Sequence, residues 1–274
     1  MTATVTRQHI IDTVHAALAD LPYVTAAWLG GSQSFGRHDA WSDVDLQCLA
    51  PEDREEDVFA AVEAALERLS PIHTRFRLPM PTWHGSPQAF YRLRDADAFH
   101  MLDFLVMRAP FVAEFMEPTR HGAPVVLFDR DGVLRPAPAD PAVYRDKIAR
   151  RLETLRRMYA LFTPLARKEA LRGNWIDAAT SYQSYVLRPL IETLRMRHDP
   201  LRFDFGARYL PHDLPADVVA RLTRLHLSGS PEALTRNIAE AEAWLGEVLD
   251  GLGGQMADGV AAASTHGDSQ EQLI

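Results

Sequence analysis

The sequence predicts an α+β protein, with short strands and flanking helices in the first half and an α-helical bundle in the second. Three observations predict it. Short apolar runs separated by turn-forming residues recur up to residue 135. A proline-rich segment, RPAPADP at 135–141, then interrupts the chain. Beyond it the apolar residues recur at helical spacing. The 274 residues, 47% hydrophobic and 24% charged, suffice for one large domain or two modest ones, each with its own core. The expected division is 1–135, 141–250 and a disordered tail at 251–274, the tail being rich in Gly, Ala, Ser and Asp.

The elements follow in order. Ile10, Ile11, Val14, Ala17 and Leu18 keep helical spacing, so the chain opens with an amphipathic helix. TAAWL at 25–29 reads as a strand ending in a Gly-Gly-Ser turn, and 43–49 reads as a second strand. Residues 54–69 form a helix with Val58, Val62, Ala65, Leu66 and Leu69 inward. Strands are expected at 88–94 and 98–107, joined by the turn Asp95-Ala96-Asp97, and at 124–128 before the turn 129–132. In the second half, one stripe runs from Ile148 to Phe162, ahead of Pro164. A long helix over 175–197 should bend at Pro189, and two more helices are expected at 218–227 and 234–249. FDFGARYL at 203–210 reads as an interhelical turn with Gly206 in a special backbone conformation.

The formal net charge of -8 argues against a dedicated nucleic-acid coat but leaves room for a local basic groove. The single cysteine, Cys48, has no disulfide partner in the chain and sits in an apolar run, where it reads as a buried structural thiol. No charged-then-apolar leader opens the sequence and no run reaches the length of a membrane span, so a cytoplasmic location is expected.

The chemistry concentrates in LGGSQSFGRHDAWSDVDLQCLA at 29–50. On a strand, residues two apart share a face, so Asp43 and Asp45 project together while Val44 and Leu46 face the core. Two carboxylates held close repel each other unless a cation lies between them. Magnesium suits, because it takes one or two carboxylates with substrate phosphates and water. Asp103, in HMLDFLV at 100–106, is a further carboxylate inside an apolar strand. With it, two magnesium ions become plausible, clamping the attacking and leaving oxygens of a phosphoryl transfer. Gly30, Gly31 and Ser32 supply the other half: glycines let backbone N–H groups approach a phosphate, Ser32 adds a hydroxyl and Arg37 a guanidinium. The loop then grips a nucleoside triphosphate while the acids hold the metal. The plainer readings are a polar strand edge for Asp43 and Asp45, a structural acid for Asp103, and turn or solvated loop residues for Ser32 and Arg37.

Gly-Gly-Ser followed eleven positions after Ser32 by Asp-Val-Asp resembles the signature of the DNA polymerase beta-like nucleotidyltransferases. The match covers about residues 29–107, and Asp103 falls where that superfamily's third strand acid is expected. The helical second half is similar in layout to the antibiotic nucleotidyltransferases, which modify aminoglycosides or lincosamides. The resemblance implies a small mixed sheet with flanking helices and then a helical bundle. It implies magnesium on Asp43 and Asp45, triphosphate at Ser32, and Asp103 either on the catalytic metal or taking the acceptor's proton. It further implies AMP moved from ATP to a hydroxyl of a small molecule such as an aminoglycoside-like antibiotic, with pyrophosphate released. Two other readings stay open: transfer to RNA or protein, and a catalytically silent nucleotide-binding or antitoxin-like partner.

Other residues carry two readings each. Lys147, Arg150 and Arg151 share a helix face, from which Lys147 could reach a triphosphate or simply face solvent. Glu153 is a weaker candidate for a base from the same helix. His84, in PMPTWHGSP at 79–87, could bind nucleotide or acceptor, or belong to a packed loop. His100 alternates away from Asp103. Trp175, Tyr182 and Tyr185 could wall an acceptor pocket or fill the helical core.

Overall fold

The computed structural model describes residues 5–265 and divides into two compact units, Met1–Pro138 and Ala139–Ile274. The first unit is a six-stranded mixed sheet with helices, the second is helical, and the fold class is α+β. Among the described residues no helix is long and apolar enough to cross a membrane.

The first unit opens with α1 (Arg7–Ala19), capped by Thr6, whose hydroxyl takes the His9 N–H while His9 Nδ1 takes the Thr6 N–H. β1 (Ala26–Leu29) leads into one helical turn, α2 (Gly31–Ser34), and β2 (Val44–Leu49) follows. After α3 (Glu55–Leu69) come β3 (Ile72–Arg77), β4 (Gln88–Leu93), β5 (Leu102–Met107) and, past two short helical turns, β6 (Val125–Asp129). The spatial order is β3-β4-β5-β2-β1-β6, and β2 and β5 run parallel while the other pairs are antiparallel.

Alternation decides which sheet face meets which core. Val44, Leu46, Cys48, Leu102, Phe104 and Val106 share one apolar cluster with Ile10, Val14 and Leu18 of α1 and Val58, Phe59 and Val62 of α3. Trp28, Leu49, Leu105 and Met107 lie on the opposite face with Val112, Met116 and Leu134. Cys48 is fully buried, and burial pushes its thiol pKa up, so it behaves as a small apolar residue.

β3 was not expected, because its partly polar alternation puts only weak apolar character on one face. It is an edge strand with Phe76 stacked on Phe90 at 6.3 Å. The strand expected at 98–107 begins at Leu102 instead. Asp97 accepts the Phe99 N–H (3.0 Å) and its carbonyl accepts the His100 N–H (3.1 Å), turning 97–100 into a loop.

The second unit comprises α4 (Pro141–Leu171), α5 (Trp175–Tyr182), α6 (Arg188–His198), α7 (Ala216–His226) and α8 (Pro231–Thr265). Asp140 caps α4 by accepting the Ala142 N–H at 2.8 Å. α4 continues through Pro164. Over 175–197 the helix is interrupted: a π-helical turn, Gln183–Leu187, joins α5 to α6 and puts Pro189 in the first turn of α6, where a missing N–H costs least. Tyr182 is buried, donating to the Leu225 and Asn237 carbonyls, and belongs to the core. Trp175 is partly exposed and Tyr185 stacks on Phe162 at 5.3 Å. Gly206 has φ +59°, and the loop it sits in is tied down by the fully buried Arg195, which donates to the Gly206 carbonyl and pairs with Asp213 at 3.0 Å. α8 runs on through 251–265, into the segment read from the sequence as a tail. Residues 266–274 of that tail lie outside the described residues.

Candidate active site

The parallel pairing of β2 with β5 sets the site. Its register puts Asp45 opposite Asp103, and the Val44 N–H bonded to the Met101 carbonyl (2.9 Å) carries the ladder back to Asp43. Asp45 and Asp103 therefore stand on neighbouring strands on the sheet face away from α1 and α3, and Asp43 shares that face by its two-residue spacing. Like charges facing each other across a sheet are unfavourable, so this rung is costly unless something compensates it.

β1 is antiparallel to β2, so its end delivers the Gly30–Ser32 turn to the start of β2. The Gly30 N–H bonds the Asp45 carbonyl at 2.9 Å. Gly31 has φ +54°, and a Cβ on it would lie 1.7 Å from Asp45 Oδ2, so only glycine fits against that carboxylate. Ser32 is buried, and its Oγ has no hydrogen-bond partner among the described residues. Gln47 Oε1, packed where a Cβ of Gly30 would go, is likewise orphaned. Native proteins rarely leave such atoms unsatisfied without a partner elsewhere, such as a ligand or water.

Asp103 is partly buried. Burial raises its pKa, a hydrogen bond from Gln88 Nε2 (2.5 Å to Oδ1) opposes that, and the charge of Asp43 adds to the rise; together they push it up to about 6. Two residues absent from the sequence reading thus enter the site. Gln88, at the start of β4, holds Asp103. Arg7, in the first turn of α1, donates from Nε to the Asp43 carbonyl at 2.9 Å, and its charge interacts with Asp45 and Asp43, although burial lowers its pKa. A basic residue in a helix's first turn opposes the helix dipole, which was the signal available for Arg7. A neutral glutamine gave none.

Asp43, Asp45, Asp103, Gly31 and Ser32 converge in the first unit. Arg37 follows the turn, its N–H on the Ser32 carbonyl (2.9 Å) and its guanidinium 4.9 Å from the Phe35 ring. Lys147 stands in the second unit, its ammonium 5.1 Å from the ring of Tyr144. Arg151, on the same helix, pairs with Glu192 at 2.6 Å. His100 reaches the Ala40 carbonyl at 3.3 Å, not the acids. Trp41 and Phe99, both exposed, meet edge to face at 5.4 Å just before Asp43 and Met101.

Among the described residues no group of three or more His, Cys, Asp or Glu is arranged to hold a metal ion by itself. The three acids are neighbours, and Gln88 engages one oxygen of Asp103. What the face offers is a carboxylate pair beside an open glycine turn and an orphaned hydroxyl. That donor set suits a hard cation that brings oxygen ligands of its own, as magnesium does with phosphate, and lacks the nitrogen and sulfur donors zinc prefers.

No family model matches the chain, and no curated protein matches it. Among solved structures it is similar to the crystal structure of an aminoglycoside 6-adenyltransferase from Bacillus subtilis, at 10% identity over 96% of this chain and 97% of that one, with a TM-score of 0.37.

Proposed function

We propose that the chain is a magnesium-dependent nucleotidyltransferase that moves AMP from ATP to a hydroxyl of a small molecule. The observation that carries this reading is the rung joining Asp45 to Asp103, with the Gly30–Ser32 turn set against Asp45. Asp43 and Asp45 would hold the cation, which supplies charge neutralisation on the triphosphate. The Ser32 hydroxyl would donate to a phosphate oxygen, and Arg37, a few residues on, would add positive charge. Asp103, whose pKa burial and the charge of Asp43 raise in the metal-free chain, would take the acceptor's proton. The acceptor oxygen then bonds to the α-phosphorus as the bond to the bridging oxygen breaks, and pyrophosphate leaves.

Asp103, held through one oxygen by Gln88, would serve as that base. Trp41 and Phe99 would offer an aromatic face to an acceptor ring. An aminoglycoside-like antibiotic is the acceptor class proposed, and Lys147 a candidate contact to the triphosphate. The test is a screen of hydroxylated compounds, aminoglycosides first, with α-labelled ATP and magnesium. The reading expects label on an added compound with equimolar pyrophosphate, lost in Asp43→Ala and Asp45→Ala, and an acceptor KM raised in Trp41→Ala. Absence of transfer to any compound, with no magnesium-dependent ATP binding, would refute it.

A further inference from the structure

We infer that His84 is a positioning residue: acting through Gln88, it fixes which end of that amide faces the Asp103 carboxylate. The use made of Asp103 rests on the nucleotidyl-transfer reading above; the orientation itself does not. A glutamine amide is nearly symmetric in shape and can turn either its oxygen or its nitrogen to a neighbour. Beside a carboxylate the two ends differ sharply, since N–H groups stabilise it and a carbonyl oxygen repels it.

The carboxylate favours one end, and the loop before β4 fixes the same orientation from the far side of the amide. Gly85 takes φ +74°, with Phe111 packed where its Cβ would be, 2.6 Å from Cζ. The Gly85 N–H bonds the Thr82 carbonyl at 3.1 Å, and the Thr82 hydroxyl donates to the Ser86 carbonyl at 2.7 Å. This turn presents the Ser86 N–H to His84 Nδ1 at 3.3 Å, with Thr82 Oγ1 also 3.3 Å from that nitrogen. A backbone N–H can only donate, so Nδ1 accepts and the hydrogen of the neutral ring lies on Nε2. Nε2 is 3.0 Å from Gln88 Oε1, which accepts it and leaves Gln88 Nε2 to donate to Asp103 Oδ1 at 2.5 Å. One fixed peptide thereby sets the polarity of a chain that ends on the reacting carboxylate. His84 and Ser86 are buried, so water does not readily substitute for either link.

The chain also explains why a histidine stands here. A residue needed only to fill space could be any ring of that size, whereas the relay needs an acceptor on one side and a donor on the other. His84→Phe keeps the shape and removes both. His84→Gln restores a donor toward Gln88. His84 meets Gln88 and not the acids, so the expected loss is in turnover and not in nucleotide binding.

The experiment has two readouts on the full chain. The first is the side-chain amide signal of Gln88 in proton–nitrogen NMR without nucleotide or metal, assigned with Gln88→Leu. One amide proton should be shifted strongly downfield in the wild type and in His84→Gln, and move toward the free-amide position in His84→Phe, where the carboxylate alone holds the amide. The second is steady-state transfer from Mg-ATP: His84→Phe should lower kcat by about tenfold or more with KM for ATP within about twofold, and His84→Gln should recover most of it. A Gln88 signal indifferent to His84→Phe overturns the inference, whatever the activity. So does a loss confined to melting temperature and shared equally by His84→Gln. A signal that moves as expected in a chain that transfers nothing supports the orientation and refutes the nucleotidyl-transfer reading instead.

Discussion

Gly31 and Asp45 compete for one volume: a side chain at 31 would begin 1.7 Å from Asp45 Oδ2. Gly36, five residues on, shares the left-handed backbone (φ +63° against +54°) but has nothing within 4 Å of its Cβ position. The pair separates backbone strain from lost space. Gly36→Ala should cost only the conformational term, about 1–2 kcal/mol. Gly31→Ala adds a displaced carboxylate and should cost at least about 3 kcal/mol by urea unfolding, and abolish magnesium-dependent ATP binding. Equal costs would show that Asp45 does not need the glycine.

Asp103 is expected to make the fold less stable at neutral pH than it is in mild acid. Burial, with the charge of Asp43, holds its native pKa near 6, above the ordinary carboxylate value of 3.8, despite the Gln88 bond. Between those values the native state keeps a proton that the unfolded chain has lost. Stability from this group is therefore full below about pH 4, falls as pH rises through 6, and stays lower above it. Asp103→Asn, which cannot ionise, should be more stable than wild type by roughly 2 kcal/mol at pH 8, with the gap closing toward pH 4. The same variant should lose transfer activity by orders of magnitude while still binding Mg-ATP. Denaturant midpoints across that pH range measure the first claim, and titration calorimetry the last.

What could be read from the sequence, and what could not, divides along local and non-local lines. The shared face of Asp43 and Asp45 follows from spacing alone, and the glycine turn from composition. That β5 lies beside β2, in the register that sets Asp103 against Asp45, is a pairing across 58 positions. Periodicity carries no information about it; only the resemblance to known transferases suggested it. Gln88 and Arg7 were missed for a related reason. Each matters only through a contact 15 or 36 residues away in sequence, and nothing in its own segment names that partner. β3 escaped because an edge strand facing solvent needs no strict apolar alternation. The π turn before Pro189 likewise escaped, because proline signals a break in the helix without saying what form it takes.

Ser32 should matter to ligand and hardly at all to folding. Its Oγ is buried without a hydrogen-bond partner among the described residues, so removing it relieves a desolvated hydroxyl. Ser32→Ala should unfold within about 1 kcal/mol of wild type, or be slightly more stable. If the hydroxyl meets a phosphate, the lost bond to a charged oxygen, about 1.5–3 kcal/mol, weakens Mg-ATP binding by roughly tenfold to a hundredfold. Unchanged affinity by calorimetry would assign the orphaned oxygen to bound water.

Arg7 and a divalent cation should be partly interchangeable as partners of the acid pair. The guanidinium supplies compensating charge: its Nε holds the Asp43 carbonyl, and its field acts on Asp45 and Asp43. Replacing it with methionine keeps much of the packing of its stem while leaving the carboxylates to repel each other. Arg7→Met should therefore melt several degrees below wild type in the presence of a chelator. Millimolar magnesium should raise its melting temperature more than it raises that of wild type, because the ion restores charge balance that the native arginine already supplies in part. Adding Asp43→Asn and Asp45→Asn to Arg7→Met should remove both the deficit and the magnesium response. A magnesium shift that survives loss of both acids would place the ion elsewhere, and no shift in Arg7→Met would mean that this carboxylate pair does not bind the cation without nucleotide.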